Sequence, residues 1–218
     1  MPARLTVFTS RRLRWVAGLI GVAVLLYFLP LFRVVSLNES KQQAAAAVFD
    51  AADYVDVFWQ GPLLDSAASA VDAAELLAAF QQDFADTAER FGHRLGLGGS
   101  AFFLVSGQGT ILAIDDRVIS IALRDGGPAE IIIKLGPVFG NAIRDGSGLL
   151  DVSDFANVQD FNAISAEINS RVETQVFPLL EANATVGKLV RFVGATEVAD
   201  SAGAPSELKL VPLVAEFP

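Results

Sequence analysis

The hydrophobic period of this chain changes twice along its C-terminal half, and few folds accommodate the order in which it does so. Beyond residue 100 the segments AFFLVS, GTILAIDD, RVISIALRD and AEIIIKLG carry strand-like patterns, separated by Gly107, by Asp115-Asp116 and by Asp125-Gly126-Gly127-Pro128. From Asp154 the period lengthens: Phe155, Val158, Phe161, Ile164, Ile168, Val172 and Val176 mark one helical face, which Pro178 is expected to interrupt or end. Two strand-like segments follow, GKLVRFVGATEV and ELKLVPLVAEF, with the polar loop 199–206 between them. With GTILAIDD, RVISIALRD and AEIIIKLG as the first three strands, this is the element order of a five-stranded OB-like barrel. The expected fold class is α+β: an N-terminal transmembrane helix, a helical segment, then an OB-like antiparallel β-barrel with a long helix inserted between its third and fourth strands. Helices packed on one face of an ordinary antiparallel sheet would satisfy the same order.

The membrane expectation rests on the uncharged run WVAGLIGVAVLLYFLPLF, residues 15–32. At a helical rise of about 1.5 Å per residue it approaches the hydrocarbon thickness of a bilayer. Arg4, Arg11, Arg12 and Arg14 precede it, and only Arg33 and Lys41 follow closely, so the positive-inside rule puts the N-terminus in the cytoplasm. Pro30, Leu31, Phe32 and Arg33 end the run, and the first small-residue series, 44–47, lies well beyond it. An uncleaved anchor is therefore favoured over a secretory signal. The expected organisation is a basic cytoplasmic tail (1–14), an anchor (15–35) and a single periplasmic domain (36–218), helical over 36–91 and OB-like over 100–218. The protein is thus expected at the bacterial inner membrane as a single-pass protein.

All 25 acidic residues lie beyond residue 36, together with 11 of the 16 basic ones. A surface so negative repels phosphate backbones, so nucleic acid is not expected as a partner. The absence of cysteine excludes disulfides, thiolate metal sites and attachment of an acyl group at a processed cysteine.

In the helical part, Val71, Leu76, Leu77, Phe80, Phe84, Ala88 and Phe91 form one apolar stripe with Asp72 at its start and Gly92 at its stop. The residues 92–99 read as a loop. Tyr54, Val55, Phe58 and Trp59 share a helical spacing that fits docking onto the domain better than an aromatic sugar platform. His93 is the single histidine and so has no partner for a typical zinc site, and Asp115-Asp116 fits a hairpin turn better than a metal cage. Neither a metal nor a cofactor is expected. The turn-like Ser106-Gly107-Gln108-Gly109 joins two strands and lacks the strand-to-helix setting of a nucleophile elbow.

The densest polar cluster is GPVFGNAIRDG, residues 136–146, followed by DFANVQDFN, residues 154–162. Gly136 and Gly140 permit close approach, and Asn141, Arg144, Asp145, Asn157 and Gln159 supply donors and acceptors for recognition. The competing reading is structural: Arg144 and Asp145 organise the connector, Asp154 caps the helix, and Asn157 and Gln159 face solvent.

Taken in order, FDAADYVDVFWQGPLL, SGQGTILAIDDRV, GPVFGNAIRDG, DFANVQDFNAISAEIN and VGKLVRFVGATEV resemble an uncharacterised bacterial family of predicted periplasmic lipoproteins, domain of unknown function 2291, over about residues 17–215. Gly136, Pro137, Gly140, Arg144, Asp145, Phe155, Asn157 and Asn169 match the family's central signature, while Asn141, Val158 and Phe161 stand where threonine, glutamine and tyrosine are usual. The resemblance adds Pro137 and Asn169 to the candidate ligand or partner residues. It also implies an accessory role beside a carbohydrate-type ABC transporter. Three functions follow in order of preference. The first is a non-enzymatic accessory protein contacting a transporter permease or solute-binding protein. The second is a periplasmic small-solute, sugar-like binding module. The third is a carboxylate-dependent hydrolase, against which the lack of a coherent acid–base pair counts.

Overall fold

The computed structural model describes residues 49–94 and 99–218, of which 49–218 belong to one compact unit. The expected basic tail and membrane anchor lie outside the described residues, as do positions 95–98 of the expected loop. Among the described residues no helix is long and apolar enough to cross a membrane.

Helix α1 (Ala51–Phe58) starts where the Asp50 carboxylate accepts the free backbone N–H groups of Ala52 and Asp53. It widens into a π turn, Trp59–Leu63, around Pro62, which has no N–H to give. Val55, Phe58 and Trp59 are buried, and Tyr54 packs its ring against Phe49, Phe58 and Phe155. The aromatic group thus docks this helix on the domain. The single stripe read from Val71 to Phe91 is divided in the structure. Val71 belongs to a two-residue strand β1 (Val71–Asp72), and helices α2 (Ala73–Gln82) and α3 (Phe84–Phe91) are separated by Asp83 in an extended conformation. Asp72 caps α2 as expected, and Asp83 ends α2 while its carboxylate caps α3 through Asp86 N–H.

The sheet is built on β2 (Ser100–Asp115), β3 (Val118–Ala122), β4 (Ile131–Lys134), β5 (Leu189–Ala199) and β6 (Leu208–Glu216). Two sequence expectations change here. AFFLVS and GTILAIDD are one strand: Gly107 lies mid-ladder opposite Phe192, and a Cβ at this position would sit 2.7 Å from the Phe192 ring. Glycine is required there by packing across the ladder and does not mark a turn. The sheet is also mixed, not antiparallel throughout, because β1–β2 and β4–β6 run parallel. Its order is β1-β2-β3-β4-β6-β5 with a further β2–β5 pairing, so β1 and β3 share one edge of β2 and β5 takes the other. Asp116 and Arg117, both with positive φ (42° and 65°), make the two-residue turn between β2 and β3.

The expected helical insertion lies between β4 and β5: α4 (Ala142–Gly146), α5 (Val158–Arg171) and α6 (Phe177–Asn183). Helix α5 begins at Val158, four residues later than the pattern suggested. Asn157 caps it through Asp160 N–H, whereas Asp154 closes a reciprocal turn with Asp151. Phe161, Ile164, Ile168, Val172 and Val176 are buried as expected, but Val158 is exposed. Of the two outcomes expected at Pro178, the helix is interrupted and not ended. The π turn Val172–Val176 precedes the proline and relieves the clash its ring would make with the preceding turn, so the chain continues directly into α6. The core joins both layers, with Phe80 of α2 meeting Phe103 of β2 edge-to-face at 5.3 Å between ring centroids.

A polar groove beside a buried ion pair

The connector after β4 is fastened to the β2–β3 turn and to the helical insertion. Leu135 N–H donates to Arg117 O at 2.7 Å, and Val138 N–H donates to the Glu173 carboxylate at 2.7 Å. Gly140 adopts φ +86°, a conformation that disfavours a side chain, and its carbonyl accepts Asn169 Nδ2 at 3.0 Å. The chain then dives inward, and every residue of α4 is buried.

Arg144 and Asp145 lie inside this turn, 3% and 4% exposed. Arg144 Nε donates to Asp145 Oδ1 at 2.6 Å, its Nη1 donates to Phe161 O at 3.0 Å and to Asn162 Oδ1 at 3.3 Å, and the guanidinium lies 3.6 Å from the Phe161 ring centroid. Burying two charges is costly in itself, so the opposed charge and the satisfied donors are what make it tolerable. The pair ties α4 to α5. Of the other candidates, Asn157 is a helix cap, and Gln159 and Pro137 are exposed beside it and on the connector respectively.

Gly140, Asn141 and Asn169 are brought together. They line a groove of about 420 Å³ between the connector, at Val138 to Asn141, and one face of α5 with the following π turn. Asn162, Ser165, Ala166, Asn169, Ser170 and Glu173 recur there at three- and four-residue steps, so they share a face. Asn157, Gln159, Arg144 and Asp145 do not line it. Phe139 stands at its edge, 84% exposed. The stripe of Asn162, Ser165, Ser170 and Glu173 was not singled out from the sequence, although its spacing beside the apolar face was readable there.

Ser165 is the exception to good pairing. It is 5% exposed, and among the described residues its Oγ is the buried side-chain polar atom without a hydrogen-bond partner. A helical serine can donate to the carbonyl four residues earlier. Here that carbonyl is Phe161 O, which already accepts Arg144 Nη1 in addition to its place in the helix ladder.

No acid–base machinery surrounds the groove. Among the described residues no cluster of three or more His, Asp or Glu has an arrangement suited to a metal. The shifted titrations lie elsewhere. Asp200 is held below the usual carboxylate range by its hydrogen bond from Arg94, and Asp151 by those from Ser153, while burial and then Asp154 raise the Tyr54 phenol.

Comparison with known proteins agrees with this architecture. The family model of predicted periplasmic lipoproteins, DUF2291, matches residues 22–216. The chain belongs to the DUF2291 family. This DUF2291 protein is also similar in fold to the crystal structure of an OB-fold protein from Thermotoga maritima, with a TM-score of 0.70 and 24% identity over 79% of this chain and 100% of that one. The fold is accordingly α+β with an OB-fold neighbour. No curated protein matches the sequence. The family description places the DUF2291 protein among periplasmic, membrane-associated proteins, yet its 218 residues contain no cysteine on which a lipoprotein acyl group could be carried.

Proposed function

We propose that this DUF2291 protein is a non-catalytic accessory protein, held at the outer face of the inner membrane by residues 15–32, that contacts a permease or solute-binding protein of a carbohydrate-type ABC transporter. Anchoring in the same membrane raises the local concentration of such a partner, so modest affinity suffices. The observation that carries the reading is the accessible face around the groove, where the exposed Phe139 stands beside neutral amides and hydroxyls with no general acid–base pair. Its test is a mild-detergent pull-down of the tagged full-length protein beside Phe139→Ala, with bound proteins identified by mass spectrometry. Recovery of a transporter subunit with wild type and its loss with the equally stable variant is expected. A wild-type preparation free of specific partners overturns the proposal. The orphan hydroxyl of Ser165 favours a second reading, that the protein is a small-solute binding module.

A further inference from the structure

From the polar inventory of the groove we infer that it is a binding site for a neutral polyhydroxylated solute of one or two sugar-sized rings. The inference rests on the solute-binding reading and not on contact with a transporter. Ser165 Oγ supplies its first support. Phe161 O is engaged by the helix ladder and by Arg144, so the buried Ser165 hydroxyl lacks that acceptor; its oxygen is closed off from the groove in this conformation, and by turning about χ1 it would meet a ligand hydroxyl that can both accept its proton and donate in return. The buried ion pair thereby sets the chemistry of the groove without entering it.

The amides extend this pattern. Asn169 uses Nδ2 on Gly140 O, which leaves its carbonyl oxygen as an acceptor, and Asn162 uses Oδ1 on Arg144, which leaves its amide group as a donor. Asn141 precedes α4 without the side-chain capping bond common at that position. Alternating donors and acceptors of this kind suit hydroxyl groups, each of which is both. Charge selects against anions, since the ionisable side chain on the groove is Glu173. Phe139 offers an apolar ring at the rim for the C–H face of a sugar ring. The groove volume of about 420 Å³ lies toward the small end of ligand sites and fits a compact solute.

The test is calorimetric titration of the full-length protein in detergent with neutral aldohexoses, aldopentoses and disaccharides, with the matching sugar phosphates as anionic controls. Saturable binding of a neutral sugar is expected, with the phosphates excluded. Ser165→Ala and Phe139→Ala should each weaken the dissociation constant about tenfold or more. The melting temperature without ligand should be unchanged for Phe139→Ala and unchanged or higher for Ser165→Ala, which separates loss of binding from loss of fold. No saturable binding of any neutral sugar at millimolar concentration overturns the inference, as does binding that survives both substitutions or equal binding of the phosphates. A transporter subunit captured by a protein that binds no sugar overturns this inference alone. Sugar binding without any captured partner overturns the transporter reading alone.

Discussion

Arg144→Ala is the substitution whose consequence the structure specifies most closely. It removes a 2.6 Å charged contact to Asp145, a hydrogen bond to Phe161 O and the stacking on the Phe161 ring, and it strands a carboxylate that is 4% exposed. Hydrogen bonds to charged groups are worth about 1.5–3 kcal/mol each. Removing one partner of a buried pair costs about 3–5 kcal/mol in total, because the remaining charge is desolvated without compensation. Against a typical domain stability of about 5–15 kcal/mol this is a large fraction. With a urea dependence of about 2 kcal/mol per molar, the unfolding midpoint followed by far-ultraviolet circular dichroism should fall by about 2 M. The combined Arg144→Met and Asp145→Leu variant, which removes both charges and keeps apolar volume, should recover most of that loss. A single variant within about 1 kcal/mol of wild type, or a double variant as unstable as the single one, would refute the assignment of the pair as an internal fastener.

Three other perturbations probe separate parts of the molecule. The depressed Asp200 titration means that the folded state favours the carboxylate paired with Arg94, so the stabilisation is present at neutral pH and is lost as pH falls below the ordinary carboxylate value of 3.8. The melting temperature of Asp200→Asn should therefore fall less steeply than that of wild type on acidification, and parallel curves would count against the pairing. Gly107→Ala places a methyl group 2.7 Å from the Phe192 ring and should destabilise by about 1–3 kcal/mol in urea unfolding. In a Glu181→Ala background, where the exposed Arg117–Glu181 pair is already absent, Arg117→Gly should stabilise by about 1 kcal/mol by relieving a φ of 65°. An unchanged unfolding midpoint would show that the turn is not strained.

The elements that sequence pattern located well are those whose period is imposed by a single buried face. Phe161, Ile164 and Ile168 on α5, with Val172 at the start of the following π turn, are such a case, as are the closing strands. The pattern failed where long-range packing decides. Gly107 looked like punctuation because its reason, the Phe192 ring, comes from a strand far along the chain. Asp83 was passed over because apolar residues on both sides keep a helical spacing across it, and only its extended backbone divides α2 from α3. The parallel direction of β6 beside β4 is a property of the pairing and leaves no mark on either strand alone. The cluster around Arg144 was legible as a cluster, and the structural reading in which Arg144 and Asp145 organise the connector holds; their burial, which depends on the Phe161 carbonyl and ring, leaves no local mark in the sequence. Half of the groove was hidden for a related reason: a polar stripe at helical spacing ordinarily faces water, and only the connector lying beside it makes an open groove.

The position of β6 governs the order in which this molecule can be made. Its partners β4 and β5 lie on opposite sides of the helical insertion, and β6 itself occupies residues 208–216. While the chain is being synthesised, Ile131 and Ile133 of β4 therefore have no strand on that edge until residues 208–216 have emerged. Distant pairing of this kind closes long loops and slows folding. The nascent protein accordingly passes through a period with an isoleucine-rich strand edge uncovered, which makes it dependent on whatever shields such edges in its compartment and sensitive to loss of residues 208–216.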